Sequence, residues 1–461
     1  MRTEKDSLGE LQLSDEVYYG IQSFRASQNF PISGTQVHPE LIRSYLLLKK
    51  AAAKANQSIG ALDSIRADAI VKAIDNLLGS SDFLKHFVVD AYQAGAGTSQ
   101  NMNCNEVVAN KANELLGKPL GKYDPVNPND HVNMSQSTND TYPTAMRLAT
   151  LTLSKKLTQS LKETAKSFDQ KAAEFDGILK SARTHLQDAV PIRLGQEFSA
   201  YRDSCHQLCE LLKHAQSYLQ ELGIGGSAAG TGINVPKGYR QAIVKELQQL
   251  FTDPEIKSSQ NMCMSMQSQL PMQVYSNALR VLALEFTRIL NDLRLLSSGP
   301  TNGLAEIILP STQPGSSIMP GKVNPSILEM ANQVCFKVLG NDTGMAYAVQ
   351  AGQLELNVMM PVMAQMALES TYILTSMLQT LRERCIVGIK ANKERCLQYV
   401  EQTSALSTAL NPIIGYLNAA EITKESLKTG KSVVQIVREK KLLTETQIQE
   451  ILNPQKLTEP Q

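Results

Sequence analysis

At 461 residues, with 42% hydrophobic and 19% charged side chains, the chain has the composition of a folded protein and the length for two or three structural units around a deeply buried site. Its 45 Lys plus Arg against 44 Asp plus Glu leave a formal charge of +1, and no long run of one sign offers a track for nucleic acid or an anionic membrane. Seven scattered Cys do not form a disulfide framework, no run of about 18 apolar residues would span a bilayer, and the amino terminus MRTEKDSLGE lacks a signal-peptide core, so a cytoplasmic protein without membrane or nucleic-acid partners is expected.

In chain order, the first 35 residues read as an extended or looped arm that ends in the turn-rich stretch 29–34. Helical periodicity begins near Pro39, where Leu41, Ile42, Tyr45, Leu46 and Leu48 lead into Ala51 to Ala53, and a second helix is predicted over 62–78. A polar segment follows at 95–106 (GAGTSQNMNCNE). Its glycines let backbone approach a ligand closely, and Thr98 and Ser99 present hydroxyls near a predicted helix start. A second polar segment, 127–140, presents Ser137, Thr138 and Asn139 before a long helix predicted over 142–175. Each segment alone is equally explained by caps and turns, but their shared hydroxyl and amide chemistry suits a carboxylate-bearing ligand.

A third polar loop, 181–191, carries Thr184 and His185, with Arg183 and Asp188 as candidates for a loop-fixing ion pair. Long helices are predicted over 194–222 and 272–296, and Cys205 and Cys209, four apart on the first, read as packing residues because no metal-site spacing completes them. The segment 315–325 (GSSIMPGKVNP) is chemically the densest. Gly315 and Gly321 permit a mobile loop that Pro320 restricts, and Ser316 and Ser317 offer nucleophilic or proton-accepting oxygens. Lys322 and Asn324, two apart, share one face of an extended backbone, where a cation and an amide can hold a carboxylate and stabilise the charge left when an adjacent carbon loses its proton. Phosphate binding of the Walker type is disfavoured because Gly321-Lys322 is followed by Val323.

A last long pattern runs over 353–390 with a break or kink at Pro361, and short helices are predicted over 418–428, 431–439 and 444–452, the last opened by a Thr444/Gln447 capping box. Strand signals are weak throughout. The fold class expected is therefore mainly α, with an amino-terminal helical domain over 1–140 that carries polar loops, a central long-helix bundle over 141–395 that carries the 315–325 loop, and a small helical domain over 396–461. Apolar residues on more than one face of the long helices predict burial against other subunits.

Taken together and in this order, segments 95–106, 133–140 (NMSQSTND), 183–188 (RTHLQD) and 315–325 resemble the active-site regions of the aspartase/fumarase superfamily, most closely its aspartate ammonia-lyases, over residues 5–455. The resemblance implies that superfamily's three-domain fold, a homotetramer with active sites shared between subunits, and reversible anti-elimination of ammonia from L-aspartate to give fumarate through an aci-carboxylate intermediate. No cofactor is required by that chemistry, and divalent-cation activation stays open. The resemblance also implies Ser316 as the general base, Lys322 and Asn324 on one substrate carboxylate, and Thr98, Ser137, Thr138, Asn139, Thr184 and His185 as polar contacts to the carboxylates or leaving group. Glu329 resembles the acidic partner of the active-site His. The run from Ser137 to Asp140 and the stretch 294–300 (RLLSSGP) favour an aspartase over a class II fumarase, in which two serines usually precede Asn-Asp. Departures from the aspartase pattern are Thr301-Asn302, where Arg is common, Met360, where Glu is common, and the Met-rich stretch 261–272 (NMCMSMQSQLPM). A class II fumarase, or an amine lyase for a different amino or ammonium acid, is the alternative.

Overall fold

A computed structural model describes residues 1–459. The helices are α1 (Ile21–Asn29), α2 (Pro39–Ser58), α3 (Ser64–Gly79), α4 (Thr98–Leu115), α5 (Thr138–Phe175), α6 (Leu194–Leu219), α7 (Tyr239–Leu250), α8 (Met262–Gln267), α9 (Leu270–Leu296), α10 (Ser326–Gln350), α11 (Met360–Arg384), α12 (Lys393–Gln402), α13 (Asn411–Ile414), α14 (Tyr416–Thr429), α15 (Val433–Glu439) and α16 (Glu445–Ile451). Among the described residues the sheets are four two-stranded pairs: β1 (Arg2–Asp6) with β2 (Gly9–Leu13), β3 (Leu179–Thr184) with β4 (Gln187–Arg193), β5 (Glu221–Leu222) with β6 (Lys257–Ser258), and β7 (Ile307–Ile308) with β8 (Lys390–Ala391). The fold is mainly α. The chain divides into two compact units, one of residues 1–159, 210–283 and 336–375 and one of residues 160–209, 284–335 and 376–461, and α5, α6, α9, α10 and α11 each contribute residues to both.

In the first unit α2 packs against α3 and α7. Its apolar phase buries Leu41, Ile42, Tyr45, Leu46 and Leu48, and His38 caps it by accepting from the Glu40 amide. The amino-terminal arm differs from the sequence expectation: it is the β1–β2 hairpin followed by α1. Helix α1 starts at Gly20, which has no side chain to cap it, and a distant residue does that work. The buried Glu106 carboxylate on α4 accepts from the amides of Gly20 (3.0 Å), Gln22 (3.0 Å) and Ser23 (3.1 Å). The same logic lets a polar helix be buried: Asn103 on α4 donates to the His86 carbonyl and Asn113 pairs with the backbone of Val126.

In the second unit the β3–β4 hairpin is anchored by two carboxylates, one of them Glu197 on α6, which accepts from Lys180 Nζ at 2.9 Å. Glu306 is fully buried, and its oxygens lie 2.8 Å from Lys180 Nζ and 2.8 Å from Arg183 Nη1. Arg183 therefore pairs with Glu306 rather than with Asp188, which faces it only as its register partner in the hairpin. The carboxyl-terminal helices close around their own core of Leu406, Leu410, Ile422, Val433, Ile436, Val437, Ile448 and Leu452. Capping boxes open α15 (Ser432/Gln435) and α16 (Thr444/Gln447), and Gly430 ends α14 in the left-handed conformation. Pro361 is the second residue of α11 and so begins that helix instead of kinking it, because an amide at that position has no intrahelical acceptor.

Candidate active site

In the first unit, two helix starts carry predicted site residues. Thr98 is the first residue of α4 and is exposed. The chain enters that helix through Gly97 at φ +80°, where a Cβ would collide with the Tyr142 ring, so both backbone shape and space demand glycine. Ser137, Thr138 and Asn139 open α5, all half-buried. The Ser137 hydroxyl accepts from the Asn139 amide (3.2 Å), and the Asn139 side-chain amide donates to the Ala228 carbonyl (2.9 Å).

Behind Thr138 lies a buried polar layer that sequence reading missed. Asn101 Nδ2 donates to Thr138 Oγ1 (2.9 Å), leaving the threonine proton available to a ligand, and Asn101 Oδ1 receives Lys49 Nζ (2.8 Å). Lys49 has 0% exposure and its ammonium also reaches Asn133 Oδ1 and Gln136 Oε1, each at 3.0 Å. Three neutral amide oxygens hold it, and burial pushes it down to about 7. Asp140, one turn from Ser137, is also fully buried. Burial pushes its carboxyl up to about 7 against the opposing effect of the amides of Ser137, Ser227 and Gly225 and of the Lys49 charge. The one sequence signal for Lys49 is the phase of α2, which places it on the buried face with Tyr45, Leu46, Ala52 and Ala53.

In the second unit, His185 and Leu186 form the two-residue tip of the β3–β4 hairpin, at φ 56° and 59°. Such primed geometry follows the twist of paired strands, and it holds a non-glycine residue in a sparsely populated region. Thr184 and His185 are exposed, and Leu186 is 72% exposed.

The 315–325 loop precedes α10. Its neck is closed by Asn324 Nδ2, which donates to the Gly315 carbonyl at 2.6 Å. A Cβ on Gly315 would collide with the Lys322 carbonyl oxygen. Ser316 Oγ accepts from the backbone amides of Met319 (2.9 Å) and Ile318 (3.3 Å). Two N–H dipoles thus point at the oxygen that the family resemblance implies as a base, an arrangement that favours its ionised form. Ser317 and Lys322 are exposed, and Ile318 is 82% exposed. Glu329 stands half-buried in the first turn of α10. Among the described residues of the single chain, the side chains of His185 and Glu329 make no hydrogen bond or ion pair with each other. Met262, Met266, Met272 and Met360 are buried.

A family model described as Lyase matches residues 9–340, and one described as Fumarase C C-terminus matches residues 406–459. An aspartate ammonia-lyase of Bacillus subtilis (strain 168) is 46% identical over 459 residues, covering 100% of this chain and 96% of that protein. An aspartate ammonia-lyase of Escherichia coli (strain K12) is 45% identical over 462 residues, with 100% and 96% covered. Among solved structures, a fumarate lyase:delta crystallin from Brucella melitensis bound to cobalt superposes with a TM-score of 0.96 at 44% identity over 100% of both chains. A recombinant class II fumarase from Schistosoma mansoni gives a TM-score of 0.95 at 35% identity over 99% of both.

Proposed function

This chain belongs to the aspartase/fumarase superfamily, and from that premise we propose that it is an aspartate ammonia-lyase acting as a homotetramer in the cytoplasm. The observation that carries the reading is the environment of Ser316, whose oxygen receives two backbone amides in a loop clamped between Gly315 and Asn324. An unperturbed serine is a poor base near neutral pH; donors aimed at its oxygen make the alkoxide accessible.

Ser316 takes a proton from the carbon next to the side-chain carboxylate of L-aspartate. The C–H electron pair moves into that carboxylate and produces a dianionic aci-carboxylate. Lys322 supplies a positive charge to it, and Asn324 offers the amide proton not used on Gly315. Each donor placed for charge that develops only in the transition state is worth roughly 3 to 4 kcal/mol. Collapse of the intermediate forms the carbon–carbon double bond and expels ammonia. Thr98, Ser137, Thr138, Asn139, Thr184 and His185 contact the carboxylates and the leaving amine, with Thr138 held in its donating orientation by Asn101. Glu329 is the acidic partner that orients the His185 ring, contributed in the proposed tetramer by a different subunit than the hairpin it serves.

The test is purified protein supplied with L-aspartate, with fumarate followed by ultraviolet absorbance and ammonia measured in parallel. Equal amounts of both products are expected. Malate–fumarate equilibration without turnover of L-aspartate would make the protein a class II fumarase, and inactivity with both would direct the search to other amino acids.

A further inference from the structure

Arg147 lies on α5, nine residues beyond Thr138, or about 13 Å along the helix axis by its rise. It is 3% exposed. Of its five N–H donors, Nη1 reaches the Glu221 carbonyl oxygen (2.7 Å) and Nη2 reaches Gln269 Oε1 (3.4 Å), while Nε has no acceptor. Both acceptors are neutral. The Gln269 amide in turn ends on the Met360 sulfur (3.7 Å), which brings no charge, and the Glu221 carboxylate is engaged by the Ser259 hydroxyl (2.8 Å). The Glu221 carboxylate lies near enough to act on this charge but makes no ion pair with the guanidinium, so the buried cation is only partly balanced. Burial pushes Arg147 down to about 10 against the opposing effect of the Glu221 carboxylate.

This guanidinium lines a cavity of about 400 Å³, a size suited to a small ligand. Lys257 supplies a second cation to the wall against the single carboxylate of Glu221, and His214, Ser217 and Ser268 supply polar groups. The Ser268 oxygen accepts from the Leu270 amide, so its own proton is available to a ligand. We propose that this cavity is an oxyanion site, separate from the residues that handle the substrate, in which Arg147 and Lys257 hold a small carboxylate or inorganic phosphate.

Two measurements test it. Crystals soaked in selenate, an oxyanion that scatters anomalously, should show a peak in the cavity beside Arg147. In solution, calorimetric titration with phosphate and with acetate should show binding that weakens at least tenfold in Gln269→Glu, which places an internal carboxylate where Arg147 already finds an oxygen, at unchanged volume. Lys257→Gln, an exposed substitution that leaves the core intact, should weaken the same binding several-fold. Tighter phosphate binding identifies phosphate as the occupant, and tighter acetate binding identifies a carboxylate. The proposal is overturned by an empty cavity in selenate-soaked crystals, or by phosphate and acetate affinities that are the same in wild type, Gln269→Glu and Lys257→Gln.

Discussion

A lysine with no exposed surface and no carboxylate bonded to it stands behind Thr138, and its protonation is coupled to folding. Lys49 is pushed down to about 7 from the 10.5 of an unfolded chain, so between those values the unfolded state binds a proton that the folded state does not. Stability contributed by this group therefore rises with pH across that window. Asp140 has the opposite sign: raised from 3.8 to about 7, it makes the folded state the better proton binder in that lower window, and stability falls there as pH rises. Removing the lysine proton from the balance isolates its share. Urea denaturation of wild type and Lys49→Met should show wild type gaining stability relative to the variant from about pH 7 to about 10.5, whereas a constant offset between the two curves would contradict the burial argument. Little of this is legible in the sequence, because Lys49 and Lys50 are adjacent and chemically identical. Only the helical phase distinguishes the buried member from its neighbour, and the amides that receive it come from Asn101, Asn133 and Gln136, more than 50 residues away.

At the scale of elements, what could be read depended on whether the stabilising groups were local. Helices α9 and α16 carry their own apolar phase or capping box and fall where the pattern predicts. In sequence the α1 segment reads as part of an arm because its cap is Glu106 on another helix, and the β3–β4 hairpin reads as a loop because Glu306, more than 100 residues later, helps to fix it. The 315–325 loop shows both limits. Its composition offers two serine oxygens, a cation and an amide, and only the resemblance implies Ser316 as the base, while the contact of Asn324 with Gly315, which shapes the loop, follows only from the fold. In Glu306→Ala the half-buried Arg183 loses its carboxylate and the buried Lys180 keeps only Glu197, and breaking a buried pair costs up to about 3 to 5 kcal/mol. Chemical denaturation should show that loss; a change below about 1 kcal/mol would mean that solvent already satisfies Arg183.

At the scale of the whole molecule, the exposed apolar residues Ile318, Val281, Leu284, Phe336 and Tyr347 call for cover that one chain does not supply. In the proposed tetramer other subunits supply it, and sedimentation should give a particle of about four times the 50.6 kDa chain. Shared sites make a stronger prediction. Thr138→Val and Ser316→Ala, each nearly inactive alone, should recover fumarate production when co-expressed, because hybrid assemblies contain sites with both native residues; hybrids as inactive as their parents would place both residues in a site made by one subunit. The most direct test of the account is the rate of fumarate formation from L-aspartate by the assembled protein before and after Ser316→Ala. Loss of a positioned base predicts a fall of roughly 10² to 10⁴-fold with the oligomer intact, and a variant that retains the wild-type rate would contradict the assignment of Ser316 as the base.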